Sequence, residues 1–143
     1  MNSLKNERGG ALIEFVLIAP ILFLILFGII EFGLLLHDRA MIINASREGA
    51  RAGIVFDYPN RISDSDIEDV VTNYCDTYLI SFSSGSTSPT ISITRTVNAF
   101  GEWLTVTVNY TYRFLVFSNL LAFVSGGSND LINLEGETVM RME

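Results

Sequence analysis

Few residues of this chain are of a type that does chemistry, and the most informative is a carboxylate in an unfavourable place. Glu14 lies four residues after Gly10 in the stretch RGGALIEFVLIAP (8–20), at the start of a strongly apolar run. A carboxylate at such a boundary is costly unless it is protonated or meets a cation. A cut between Gly9 and Gly10 would create an amine one helical turn from Glu14. The same cut would therefore produce the partner that the acid needs.

The remaining candidates point away from catalysis. His37 is the sole histidine, and its position just past the apolar run suits an interfacial polar residue. With one histidine and one cysteine the usual zinc ligand sets are excluded, and no serine sits in a G-x-S-x-G elbow. Asp64, Asp66, Glu68 and Asp69 lack the glycine and terminal glutamate of an EF-hand loop. Acids at the start of a helix are favoured by its dipole, which accounts for them. The sequons at Asn44-Ala-Ser46 and Asn109-Tyr-Thr111 match a pattern frequent by chance. Cys75 has no partner for an internal disulfide and reads as a small buried side chain. No enzyme and no cofactor is expected.

Net charge is −7 and no basic stripe is present, which argues against nucleic acid as a partner. Mean hydropathy is +0.38, and the apolar excess is concentrated near the N-terminus, as in an anchored protein. Phe15–Ile30 is uncharged and would span about 24 Å as a helix; Ala11–Leu36, which includes Glu14 and Glu31, would span about 39 Å. These lengths bracket a hydrocarbon core of ~30 Å, so one crossing of a lipid bilayer fits. No small-x-small pair lies between Gly28 and Ala40, and cleavage behind the run is not expected. Lys5 and Arg8 before the run are matched by Arg39, Arg47 and Arg51 after it, so charge leaves the orientation open.

The elements that must position these residues follow from periodicity. One long helix is expected from Gly10 to about Val55, with a kink or loosening at Pro20. Beyond Leu36 it continues outside the membrane. There Ala45, Gly49 and Gly53 recur every four residues as a narrow stripe that packs either on the chain's own domain or on another subunit. After a turn at Tyr58-Pro59-Asn60, a second helix is expected with a Ser65–Glu68 capping box. Its apolar face, Ile67, Val70, Val71, Tyr74, Tyr78 and Leu79, should cover a sheet. SFSSGSTSP (81–89) is a loop by composition. Ile91–Val97 and Trp103–Phe114 form a hairpin around an Asn98–Gly101 turn, with Leu104, Val106, Val108, Tyr110, Tyr112 and Phe114 on one side. FLVFSNLLAFV (114–124) is too short to cross a bilayer as a second helix. Gly126 and Gly127 end it, and Leu131–Met142 supplies a third strand. The fold class is α+β: a long N-terminal transmembrane helix, a second amphipathic helix and a small antiparallel sheet of about three strands.

The segment RGGALIEF, the following apolar run with its AP and GIIEFG, and then NASREGARAG together resemble the TadE-like proteins. These are pilin-like subunits of the bacterial tight adherence (Tad, Flp or type IVc pilus) system. The resemblance covers Arg8 to about Gly53 and is only general afterwards. It implies a leader at 1–9, a transmembrane helix at 10–36, an extramembrane continuation at 37–55 and an extracytoplasmic α+β domain at 56–143. A prepilin peptidase would cut between Gly9 and Gly10, and Glu14, then the fifth residue, would recognise the amine of a neighbouring subunit during assembly. The second glycine also permits a cut after Gly10. The implied partners are the peptidase, other pilins or pseudopilins and the inner-membrane assembly proteins of the system. The implied location is the bacterial inner membrane, single-pass, with passage to a pilus or the cell surface on assembly. The chain is much longer than the small major pilin of the system, which favours a minor pilin or pseudopilin. The competing expectation is an uncleaved anchored envelope protein with an extracytoplasmic binding domain, which leaves the Gly9-Gly10 junction and Glu14 without a reason.

Overall fold

The computed structural model of the chain describes residues 3–55, 61–80, 88–115 and 131–142. The expected turn at Tyr58-Pro59-Asn60, most of the 81–89 loop, and residues 116–124 with Gly126 and Gly127 lie outside the described residues.

Helix α1 runs as one helix from Ser3 to Ile54, with Pro20 inside it. It starts earlier than the expected Gly10 and ends one residue before Val55. Helix α2 spans Asp64–Tyr78. Strands β1 (Thr90–Asn98), β2 (Gly101–Arg113) and β3 (Leu131–Met142) form one antiparallel sheet in the order β1-β2-β3. The chain is thus α+β, with the long apolar helix, a second helix and three strands.

The sheet follows the alternation of its sequence. Leu104, Val106, Val108, Tyr110 and Tyr112 all face inward and are buried, while the intervening threonines and Asn109 face outward. Register pairs Val106 with Ile93 on one side and Thr138 on the other. At the β1–β2 turn, Asn98 Oδ1 accepts bonds from the Phe100 N–H and the Trp103 indole N–H, and Gly101 takes a φ of +125°. Phe100 and Val97 stand exposed at this tip, whereas Trp103 is half-buried.

Helix α2 departs from expectation in two ways. Its capping box is Ser63 with Asp66, not Ser65 with Glu68: the Ser63 hydroxyl accepts from the Asp66 N–H, and Asp66 accepts from the Ser63 N–H. Starting at Ser63 places half-buried Ile62 before the cap and buried Ile67 four residues after it, the arrangement of a hydrophobic staple. An Arg95–Asp64 ion pair also ties this first turn to β1. The second difference is in packing. The α2 face made by Ile67, Val71 and Cys75 lies chiefly against α1 and touches β1 only lightly, instead of covering the sheet.

That arrangement is possible because α1 is thin where the layers meet. A Cβ at Gly49 would collide with Val71, and one at Gly53 with Leu104 and Ile67. Ala45 is fully buried beside them. On the sheet side, Gly136 of β3 approaches the α1 backbone, and a Cβ there would sit 2.8 Å from the Ile42 carbonyl oxygen. Nearby, the Ser46 and Thr138 hydroxyls are 2.7 Å apart and link α1 to β3.

Backbone cannot move aside as a side chain can. We expect Gly136→Ala to cost about 1–3 kcal/mol as an overpacked site, and Gly33→Ala, which meets open space, to cost nothing. Chemical denaturation of both variants in detergent checks this; equal stability would refute the tight α1–β3 approach.

Candidate functional site

The N-terminal part of α1 carries the processing and assembly candidates. Gly9 and Gly10 are exposed within the helix, and a Cβ at either would meet nothing within 4 Å. Glu14 is exposed one turn after Gly10, and no described residue forms an ion pair or hydrogen bond with it. From Ala11 to Ile30 every residue is exposed except half-buried Ala19 and Gly28. The helix is long and apolar enough to cross a membrane once, and none of its most apolar window is buried. Ala45, Gly49 and Gly53 lie about four to six helical turns beyond that surface and pack inside the chain's own head. The structure therefore separates the two groups of candidates: Gly9, Gly10 and Glu14 lie at the free end, while the small-residue stripe forms the helix–head core.

Between them lies a junction built on two acids. Glu31 is 2 % exposed, and its carboxylate accepts a bond from the Leu115 backbone N–H just past β2. The Tyr112 hydroxyl stands 3.5 Å from the Glu31 carbonyl oxygen. Burial and the neighbouring Glu31 charge push the Tyr112 phenol up to about 12, so it keeps its proton. Two turns further on, Asp38 is fully buried. Its Oδ1 accepts from the Ile80 N–H at 3.1 Å, where the chain leaves α2, and lies 3.5 Å from His37 Nδ1. Its Oδ2 is buried without a hydrogen-bond partner among the described residues. Burial raises the Asp38 pKa above its ordinary value, opposed in part by the Ile80 and His37 contacts.

The apolar N-terminal helix with its glycine junction and early acid is the part of the chain for which a family comparison speaks. Residues 9–51 match the TadE-like protein family. No curated protein and no solved structure matches the chain. The TadE-like stretch spans Gly9, Gly10 and Glu14, the exposed apolar surface, and both junction acids; it ends just before Gly53. The TadE-like match associates the chain with the Tad pilus and with an N-terminal membrane helix.

Three further observations bear on chemistry. Among the described residues no cluster of three or more histidine, cysteine or acidic side chains could hold a metal ion. Asp64 bonds Arg95 and Asp66 closes the α2 cap, so the acids that open α2 have structural partners. Cys75 is 1 % exposed, and burial raises its thiol to about 11, which keeps it protonated and unreactive at neutral pH.

Sequence reasoning passed over Glu31 and Asp38 as anchoring residues. The available signal was the cost of a charge inside or beside an apolar helix. It was applied to Glu14, whereas Glu31 was accepted as a tolerated interruption.

The raised Asp38 pKa carries a sign. The folded chain holds this proton more tightly than the unfolded one, so ionising Asp38 costs stability. That cost is absent below the unfolded value near 3.8 and grows as pH rises through the raised folded value. Asp38→Asn keeps an acceptor for Ile80 and removes the ionisation. We expect the stability of Asp38→Asn relative to the native chain to increase from pH 3 toward neutrality, measured by denaturation at several pH values. A pH-independent difference would contradict the burial argument.

Proposed function

We propose that the chain is a minor pilin or pseudopilin for assembly of a tight adherence, Flp-type pilus that supports surface adhesion. In this reading residues 1–9 are a leader, 10–36 cross the bacterial inner membrane once, 37–55 continue the helix outside, and 56–143 form the extracytoplasmic domain. A prepilin peptidase removes the leader between Gly9 and Gly10. The processed helix then packs laterally with other pilins and with the inner-membrane assembly proteins of the system.

The observation that carries this reading is Glu14 itself. It is exposed on an apolar helix surface, one turn past a glycine junction, inside the matched family stretch. A carboxylate there favours a cationic partner over lipid. An amine on a neighbouring subunit's Gly10 meets that need when the copies are staggered by about one turn along the helix axis. The exposed surface Ala11–Ile30 provides the apolar side chains for lateral packing. Ala45, Gly49 and Gly53 are already occupied within the chain, so they serve intramolecular packing in this account.

Two substitutions separate processing from assembly. Gly9→Leu is expected to leave the leader attached. Glu14→Ala is expected to be processed normally and to leave the head's stability unchanged within about 0.5 kcal/mol, since it alters an exposed residue away from the core, yet to deplete surface pili. The readouts are the N-terminus of each variant and the quantity of sheared pili. Normal pili from both variants would instead favour the uncleaved anchored protein with an outer binding domain.

A further inference from the structure

The depth at which α1 leaves lipid is set by two separate features. Its exposed apolar surface, Ala11–Ile30, is about 30 Å long at ~1.5 Å per residue, the thickness of a hydrocarbon core. At the next residue, Glu31, the head is already bonded to the helix. No stretch of bare polar helix separates the apolar surface from the head.

The side chains at this level are unusual for an aqueous surface. On the helix Phe32 and Leu36 are 57 % and 60 % exposed, and on the head Leu115 and Ile132 are 48 % and 39 % exposed. Leu115 is held there by its N–H bond to Glu31, and Ile132 by its pairing opposite Tyr112, whose hydroxyl faces the same Glu31. Leu36 stands about 7.5 Å beyond Glu31 along the helix, within the ~5–8 Å that headgroups add to each face of a bilayer. Arg113, at the same end of β2, is exposed and long enough to reach lipid phosphate while its stem stays among apolar groups.

We infer that this end of the head is a second membrane-contact surface, seated in the lipid headgroup layer with Leu115 and Ile132 beside Phe32 and Leu36. The inference rests on the reading of α1 as a membrane anchor. Its basis is that these four side chains are exposed at the level where the exposed apolar surface of α1 ends, a level fixed on the head by the Glu31–Leu115 bond and the Tyr112–Ile132 pairing. The head and the anchor then meet the bilayer as one body, with Glu31 buried at the boundary rather than facing lipid.

The test uses the full chain in phosphatidylcholine–phosphatidylglycerol vesicles, in a Cys75→Ala background, with a fluorescent probe on single cysteines at Leu115, Ile132, Phe100 or Leu22. Lipids carrying a nitroxide near the headgroup are compared with lipids carrying it deep in the acyl chain. The expected result is loss of fluorescence at Leu115→Cys and Ile132→Cys, greater with the shallow nitroxide, greater loss with the deep one at Leu22→Cys, and none at Phe100→Cys. Quenching at Leu22 with Leu115 and Ile132 as unaffected as Phe100 would overturn the proposal and leave the anchor intact. Protection of Leu115 and Ile132 from both lipid nitroxide and aqueous iodide would overturn it in favour of a protein cover. No quenching even at Leu22 would overturn the anchoring reading and this proposal together.

Discussion

The structure depends on one helix serving two solvents, and the bond between the Glu31 carboxylate and the Leu115 N–H lies where they meet. From Ala11 to Ile30 the side chains of α1, Glu14 apart, are apolar and nearly all exposed; from Glu31 the same helix contributes buried residues to the head. A hinge between the two would let head and anchor move independently. Here the helix is continuous from one to the other, and an acid that would be costly in hydrocarbon is instead consumed as an acceptor by the end of β2. Position along α1 is therefore communicated directly to the sheet.

The rest of the head follows from how closely other elements can approach that helix. Gly49 and Gly53 admit Val71, Ile67 and Leu104, and Gly136 admits the α1 backbone from the opposite partner. These approaches let a small sheet and a single second helix enclose a core around Ile42, Val71, Val106 and Val108. Asp38 adds a polar tie at the place where α2 ends, using one oxygen for Ile80 and burying the other. The surface left over from Ala11 to Ile30 is apolar apart from Glu14, and among the described residues nothing buries its most apolar window.

Much of this was legible from residue patterns because the patterns are local. The alternation from Leu104 to Tyr112 fixes the buried face of β2, and the uncharged run Phe15–Ile30 marks the part of α1 that stays exposed and apolar. The stretch that matches the TadE-like family is contiguous, and Gly9, Gly10 and Glu14 all fall within it. What failed was non-local or degenerate. Two overlapping serine–acid spacings compete for the start of α2, and the choice of Ser63 depends on Ile62 and Ile67 reaching the core. The stripe Ala45, Gly49 and Gly53 looks the same whether it meets another subunit or its own sheet. Glu31 pairs with a residue 84 positions away, and no spacing rule reveals such a partner.

The account's central claim is that Glu14 and the Gly9-Gly10 junction exist for processing and assembly. Its most direct test is the intact mass and N-terminal sequence of the native protein extracted from membranes. The account predicts a chain beginning at Gly10, with a mass reduced by that of residues 1–9. A chain beginning at Met1 would contradict it and would again leave Glu14 in need of a reason.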